Sequence, residues 1–315
     1  MKKFLLALSL ISMIMSACKS SETVVPVVQA PTAPDSSDLE NSLLWEISGN
    51  GLVQSSFLYG TIHLIDKEDY FLPQGTLSAM DQSEEIYFEI DMSEMSDVSK
   101  LMPLLQKAYM DDDLTLKDLL DDDEYKIVQD HFKELGLPLF FMERIKPMFL
   151  TVFASGDMNP GDIQSGKVKS YEMEFNKIAE ESNKPVGGLE TIEYQISIFD
   201  SIPYEDQADM LIETIQAGDT GDDQFAELVE LYKNQDVAGL YNVMKTDDSI
   251  DEFEDVLLVQ RNKNWIPVMS DKMTTKRTFF AVGAGHLGGS FGVINLLREA
   301  GYTVTAVNPV SSTDG

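Results

Sequence analysis

Four short apolar runs in this chain each lead into a glycine or an ionisable residue, and this pattern confines the fold more than any other feature. Phe57 to Tyr59 runs into Gly60-Thr61-Ile62-His63, and Ile86 to Ile90 carries Glu89 inside an apolar, aromatic stretch. Pro185 to Leu189 ends in Glu190, and Thr278 to Val282 runs into Gly283-Ala284-Gly285-His286. Runs this short, bounded by glycine and rich in aromatic and branched residues, read as buried strands. A last strand is expected over Tyr302 to Val307, after an amphipathic helix from about Phe291 to Glu299 that Gly301 stops. Between the strands, apolar residues at three and four spacing predict helices over Tyr125–Leu135, Tyr171–Glu181, Glu205–Ala217, Gln224–Lys233 and Ile250–Asn262. Strands near both ends and helices in the middle give an α/β fold. Its central mixed β-sheet is built from N- and C-terminal strands, with a largely helical insertion, about 100–260, packed over it.

The chain has 315 residues, enough for a sizeable core, and 43% of them are apolar. Its formal charge is −31. So negative a surface repels phosphate, which excludes nucleic acid and anionic headgroups as partners and favours cations or cationic peptides. Cys18 is the only cysteine, so no intrachain disulfide forms, and a metal site in the folded part must draw on carboxylates or on His63, His131 and His286. His131 lies in a polar helix and reads as a surface residue. The acidic clusters at Asp111–Asp113, Asp121–Glu124 and Asp219–Asp223 lack the spacing of a calcium loop and read as solvated helix faces and caps. No Gly-x-Ser-x-Gly elbow, P-loop or His-Glu-x-x-His helix is present.

Met1-Lys2-Lys3, an apolar run to Met15, and Ser16-Ala17-Cys18 have the order of a secretory signal. Met15 to Cys18 resembles a bacterial lipobox. Residues 1–17 are therefore expected to be removed, Cys18 to be lipidated, and the protein to be exported and held on a bacterial membrane without crossing it. Residues 18–42, rich in Ser, Thr, Pro and Val, read as the lipidated cysteine and its extended tether, and residues 43–310 as a single α/β domain.

The two Gly-x-x-His segments resemble each other, F-L-Y-G-T-I-H-L against F-A-V-G-A-G-H-L, with Phe, Gly, His and Leu in register. Gly60 and Gly283 permit a sharp turn or a close backbone approach at the strand end, so that each imidazole is aimed over the carboxyl edge of the sheet. The two histidines are expected to meet there, with Glu89 and Glu190 close by.

Five segments in order resemble the TraB/PrgY/GumN family, to which the TIKI proteases of animals belong. They are L-W-E-I-S followed by F-L-Y-G-T-I-H-L, then Y-F-E-I-D around Glu89, and G-L-E-T-I-E-Y-Q from Gly188 to Gln195. The last two are L-L-V-Q-R-N-K-N-W from Leu257 to Trp265 and A-V-G-A-G-H-L-G-G from Ala281 to Gly289. The likeness covers most of Leu43 to Pro309. It implies a metal-dependent hydrolase, a peptidase acting on peptides or exposed protein N-termini, with a divalent ion of the Mn, Co or Zn type. One departure is Gln260, where family members often carry an acid.

On that resemblance His63, His286 and Glu89 are read as metal ligands and Glu89, Glu190 and Arg261 as catalytic groups, each beside a structural alternative. The histidines can instead be hydrogen-bonded structural residues. Glu89 can instead reach water at a strand end. Glu190 is either a second acid or a helix N-terminal carboxylate. Arg261 suits a substrate carboxylate or an oxyanion, or else pairs with a neighbour such as Glu254 or Asp255. A peptide-binding surface protein without catalysis is the alternative function.

Overall fold

A computed structural model describes residues 39–94, 106–154, 165–246 and 253–310. The expected signal segment, Cys18 and the expected tether to residue 38 lie outside the described residues, as do 250–252 of the helix predicted over Ile250–Asn262.

Six strands form one mixed sheet: β1 (Leu44–Gly49), β2 (Ser56–Thr61), β4 (Glu85–Phe88), β6 (Val186–Gly188), β7 (Thr278–Gly283) and β8 (Tyr302–Ala306), in the order β6-β4-β7-β2-β1-β8. Two-residue strands β3 (Ile65–Asp66) and β5 (Val168–Lys169) pair separately. Pairs β6-β4, β4-β7 and β7-β2 are parallel, and β2-β1 and β1-β8 are antiparallel. The strands at the centre, β2 and β7, are buried almost throughout, as the unbroken apolar runs require of strands covered on both faces. β8 alternates buried Tyr302 and Val304 with exposed Thr303 and Thr305, the signature of an edge strand covered on one face. Strand β1 comes from the L-W-E-I-S segment, which carries Glu46 within it and so lacks the unbroken apolar run of the others.

The helices are α1 (Thr76–Gln82), α2 (Leu116–Leu119), α3 (Asp122–Glu134), α4 (Pro147–Ala154), α5 (Tyr171–Glu181), α6 (Ile192–Ile198), α7 (Tyr204–Lys233), α8 (Val237–Thr246), α9 (Gln260–Thr275) and α10 (Val293–Glu299). The two helices expected over Glu205–Ala217 and Gln224–Lys233 are one, α7, whose 30 residues extend about 45 Å. Gly218 and Gly221 lie between the two expected spans; each costs a helix interior only about 1 kcal/mol, and packing at both ends of α7 outweighs that. Its first half packs Ala208, Leu211 and Ile212 into a cluster with Leu116, Val128, Phe132, Leu139 and Leu150. Its last turns pack Val229 and Tyr232 into the core of the sheet. Asp121 caps α3, accepting from the Asp123 and Glu124 N–H groups while the Glu124 side chain accepts from the Asp121 N–H. His131, expected in solvent, instead has Nε2 3.0 Å from the Ala154 carbonyl, because α3 packs beside α4.

Candidate active site

Because β6, β4, β7 and β2 are parallel neighbours, their carboxyl ends share one edge of the sheet. The segments leaving them carry Glu190, Glu89, His286 and His63, in that order across the edge. Open α/β sheets place their sites at this edge.

Gly60 and Gly283 do their work by closeness, since neither has a positive φ. A Cβ on Gly60 would lie 3.1 Å from Ala284 Cα and 3.0 Å from the Leu287 side chain, so the first Gly-x-x-His segment abuts the second directly. The Gly283 N–H donates to Glu89 Oε1 at 2.8 Å, which a bare backbone at that point permits.

Four buried side chains converge. Arg261 donates from Nη2 to Glu89 Oε2 at 2.5 Å and to Glu190 Oε1 at 2.7 Å, and from Nε to Glu190 Oε1 at 3.0 Å. Its Nη1 donates to the Leu257 carbonyl and lies 3.1 Å from His286 Nε2. Leu257 belongs to a π-helical stretch, Asp255–Val259, of the kind that often sits beside functional sites. Trp265 Nε1 donates to Glu190 Oε2 at 2.9 Å, and Gln195 reaches both carboxylates at 3.3 and 3.4 Å. Asn262 Oδ1 lies 2.7 Å from His286 Nδ1, while its amide donates to the Phe291 carbonyl.

His63 stands apart. Its side chain is 76% exposed, with Nδ1 3.3 Å from Glu172 Oε1. Thr61 and Ser170 hold that carboxylate at 2.7 and 2.9 Å, and the β3-β5 pair brings its helix, α5, beside the first Gly-x-x-His segment. No hydrogen bond joins His63 to His286; the charge of His63 helps to lower His286 across the edge. Arg261 pairs with Glu89 and Glu190 rather than with Glu254 or Asp255. Glu190 precedes the α6 cap, Thr191, and its oxygens are turned to Arg261 and Trp265. Gln260 faces outward and bonds Asp255, away from this cluster.

Burial raises the Glu89 carboxyl, but the charges of His286, Arg261 and His63 and the Gly283 N–H pull it down to about 2. Burial pushes His286 down to about 3, Glu89 only partly opposing it, so the imidazole is neutral at neutral pH. The Glu172 hydrogen bond raises His63. Arg261 is thus the permanent positive charge beside two carboxylates.

Among the described residues no three His, Cys, Asp or Glu side chains form a group ready to hold a metal ion. In donor type the edge nevertheless fits one. Both histidines have Nδ1 against a protein oxygen, Glu172 and Asn262, the arrangement that fixes the tautomer of ligating imidazoles and leaves Nε2 for the ion. His286 Nε2 is 3.8 Å from Glu89 Oε1, and at present the Arg261 guanidinium donates into that nitrogen.

Asn262, Trp265, Gln195 and Glu172 were not singled out by sequence. Three of them lie inside the segments that carry the family resemblance, and their types, amide and indole, gave no sign of chemistry by themselves.

Fold and cluster together define an α/β protein whose parallel strands deliver two carboxylates, a guanidinium and two imidazoles to one sheet edge. The chain belongs to the TraB/PrgY/gumN family, whose sequence signature matches residues 43–306. Metalloprotease TIKI1 of Danio rerio is 24% identical over 327 residues, covering 85% of this chain and 63% of that protein. TIKI1 of Homo sapiens is 24% identical over 326 residues, with 86% and 63% covered. The TIKI homolog of Nematostella vectensis is 22% identical over 328 residues, with 85% and 68% covered. The chain spans less than two thirds of the length of the two vertebrate relatives. No solved structure matches it.

Proposed function

We propose that this protein is a metal-dependent hydrolase that cuts peptide bonds at the carboxyl edge of its sheet. The observation that carries the reading is the convergence of Glu89, Glu190, Arg261 and His286 from separate strand ends and one helix. The names of the family relatives support the reaction class. His63, His286 and Glu89 would hold a divalent ion of the Mn, Co or Zn type, which when bound polarises a carbonyl and acidifies water. Glu89, ionised at neutral pH, offers a charged oxygen to that ion. Arg261 orients both carboxylates and presents a fixed positive charge to an oxyanion or a peptide carboxylate. Glu190 anchors the guanidinium through Nε and Nη2 and ties it to Trp265. Asn262 holds the His286 tautomer.

The sequence supports a location as well: the Met15 to Cys18 lipobox would place an acyl chain on Cys18 and hold the domain on the periplasmic or outer face of a bacterial membrane.

The test is digestion of a peptide library by the purified protein, stripped of metal and then loaded with Mn, Co or Zn ions, read by mass spectrometry. Cleavage that appears on loading and is lost in Glu89→Gln supports the proposal. Peptide retention without cleavage under every ion would replace it with capture at the same edge.

A further inference from the structure

The most exposed aromatic pair among the described residues lies far along the chain from the catalytic segments, at the turn between α3 and α4. Phe140 and Phe141 are each 75% exposed, their rings edge to face at 5.4 Å, and Leu135 and Leu137 beside them are 38% and 36% exposed. The eight residues from Leu135 to Met142 carry no charge, in a chain whose net charge is −31.

This turn is built to hold that shape. Gly136 takes a φ of +72°, the Leu137 N–H donates to the Phe132 carbonyl at 2.9 Å, and a short 3-10 turn, Leu139–Phe141, follows Pro138. Leu139 points inward to the cluster with Val128, Phe132 and Leu150, so its two phenylalanine neighbours are forced outward. Just beyond the tip, Glu143 is tied to Lys117 and Tyr125.

We propose that the Leu135–Met142 turn is a membrane-contact wedge that seats Phe140 and Phe141 in the interface of a zwitterionic lipid bilayer. The inference rests on the lipid anchoring proposed above, which puts a bilayer within reach. Twenty residues, 19–38, separate Cys18 from the described domain, a contour of up to roughly 60 Å, so a bilayer that holds the anchor is within reach of the domain. The four exposed side chains present about 400 Å² to solvent, half of what one partner contributes to a standard protein interface. That is too little to hold a second protein and enough for a shallow wedge, whose binding grows with apolar area and adds to the pull of an acyl chain. An uncharged tip on so acidic a protein suits neutral headgroups, since anionic ones repel the rest of the surface. The consequence for function is orientation: a lipid anchor alone holds the domain near the bilayer, and a second contact fixes which way the domain faces.

Residues 19–315 retain the whole described fold and lack Cys18, so vesicle binding by this chain reports on the wedge alone. Flotation with phosphatidylcholine–phosphatidylethanolamine vesicles is expected to carry the wild-type chain, and the Phe140→Ser/Phe141→Ser variant to bind at least about tenfold less. Val53→Ser, which alters another exposed apolar residue, should float as wild type does, and both variants should melt as wild type does. Equal flotation of the double variant, or no flotation of the wild type, overturns the proposal. So does a wild-type dimer in sedimentation equilibrium that the double variant turns into a monomer, which would assign the patch to a second copy of the chain. The anchor itself is read separately, from the mass of the N-terminal peptide of the full chain, so its failure leaves the vesicle result standing.

Discussion

Arg261 holds Glu190 with two nitrogens at once, Nε at 3.0 Å and Nη2 at 2.7 Å from the same carboxylate oxygen, at a point where both side chains are almost out of water. A guanidinium shared in this way, with Glu89 on the far side of Nη2, neutralises charge that the strand ends alone would leave uncompensated. Arg261→Met is therefore expected to cost about 3–5 kcal/mol in chemical denaturation, the range for removing one partner of a buried pair. Adding Glu190→Gln should return part of that loss, because the orphaned carboxylate is its cause; purely additive losses would show that the two side chains are not coupled.

Stability should fall with acid in two overlapping steps. His286 is held neutral, with its pKa pushed from 6.5 to about 3, so between these values the unfolded chain binds a proton that the folded chain refuses. Glu89, lowered from 4.5 to about 2, contributes stability above 4.5 that is lost as the pH drops toward 2. Urea denaturation at pH 7, 5.5 and 4 should show a decline that begins below about 6.5 and amounts to a few kcal/mol, on the order of 2–4. In His286→Asn the part of the decline between 6.5 and 4.5 should disappear.

Gly60→Ala tests the contact between the two Gly-x-x-His segments. A methyl group there meets backbone at Ala284 Cα, which has no flexible end to move aside. The expected cost is about 1–3 kcal/mol, read from the denaturation midpoint, whereas a substitution at Gly136, where nothing lies within 4 Å, would test only its positive φ.

How much of this was legible in the sequence follows from which forces act locally. The strands at the centre of the sheet were legible because burial on both faces leaves an unbroken apolar run, as in Phe57–Tyr59 and Thr278–Val282. β1 was hidden by Glu46, which lies on a strand that is only partly covered. The continuity of α7 was hidden by two glycines, whose local preference was outweighed by packing at both ends. At the site, Glu89 and Glu190 could be found as carboxylates at strand ends. Their partner Arg261 could be found only through the family resemblance, because a salt bridge across 71 residues leaves no trace in spacing. Asn262 was invisible for a similar reason: an amide adjacent to Arg261 becomes meaningful only when α9 turns it toward His286.

Asn262→Ala should act on His286 through its tautomer. With Oδ1 gone, Nδ1 loses its fixed partner, and imidazole nitrogen chemical shifts should report a mixture of tautomers where the wild type shows a proton on Nδ1. Metal affinity is expected to drop about 10–100-fold, the usual effect of losing such a support, with the fold intact by circular dichroism. An unchanged tautomer would assign Asn262 to the Phe291 turn alone.

The most direct test of the central claim is kcat/KM for peptide cleavage by the metal-loaded protein, measured for wild type, Glu89→Gln and His286→Ala. Each variant should lose at least about a hundredfold while retaining a cooperative unfolding transition, since each removes a group proposed to act at the reacting atoms. Wild-type rates in both variants would contradict the account, because the cluster around Arg261 would then be structural and the bond would be cut elsewhere.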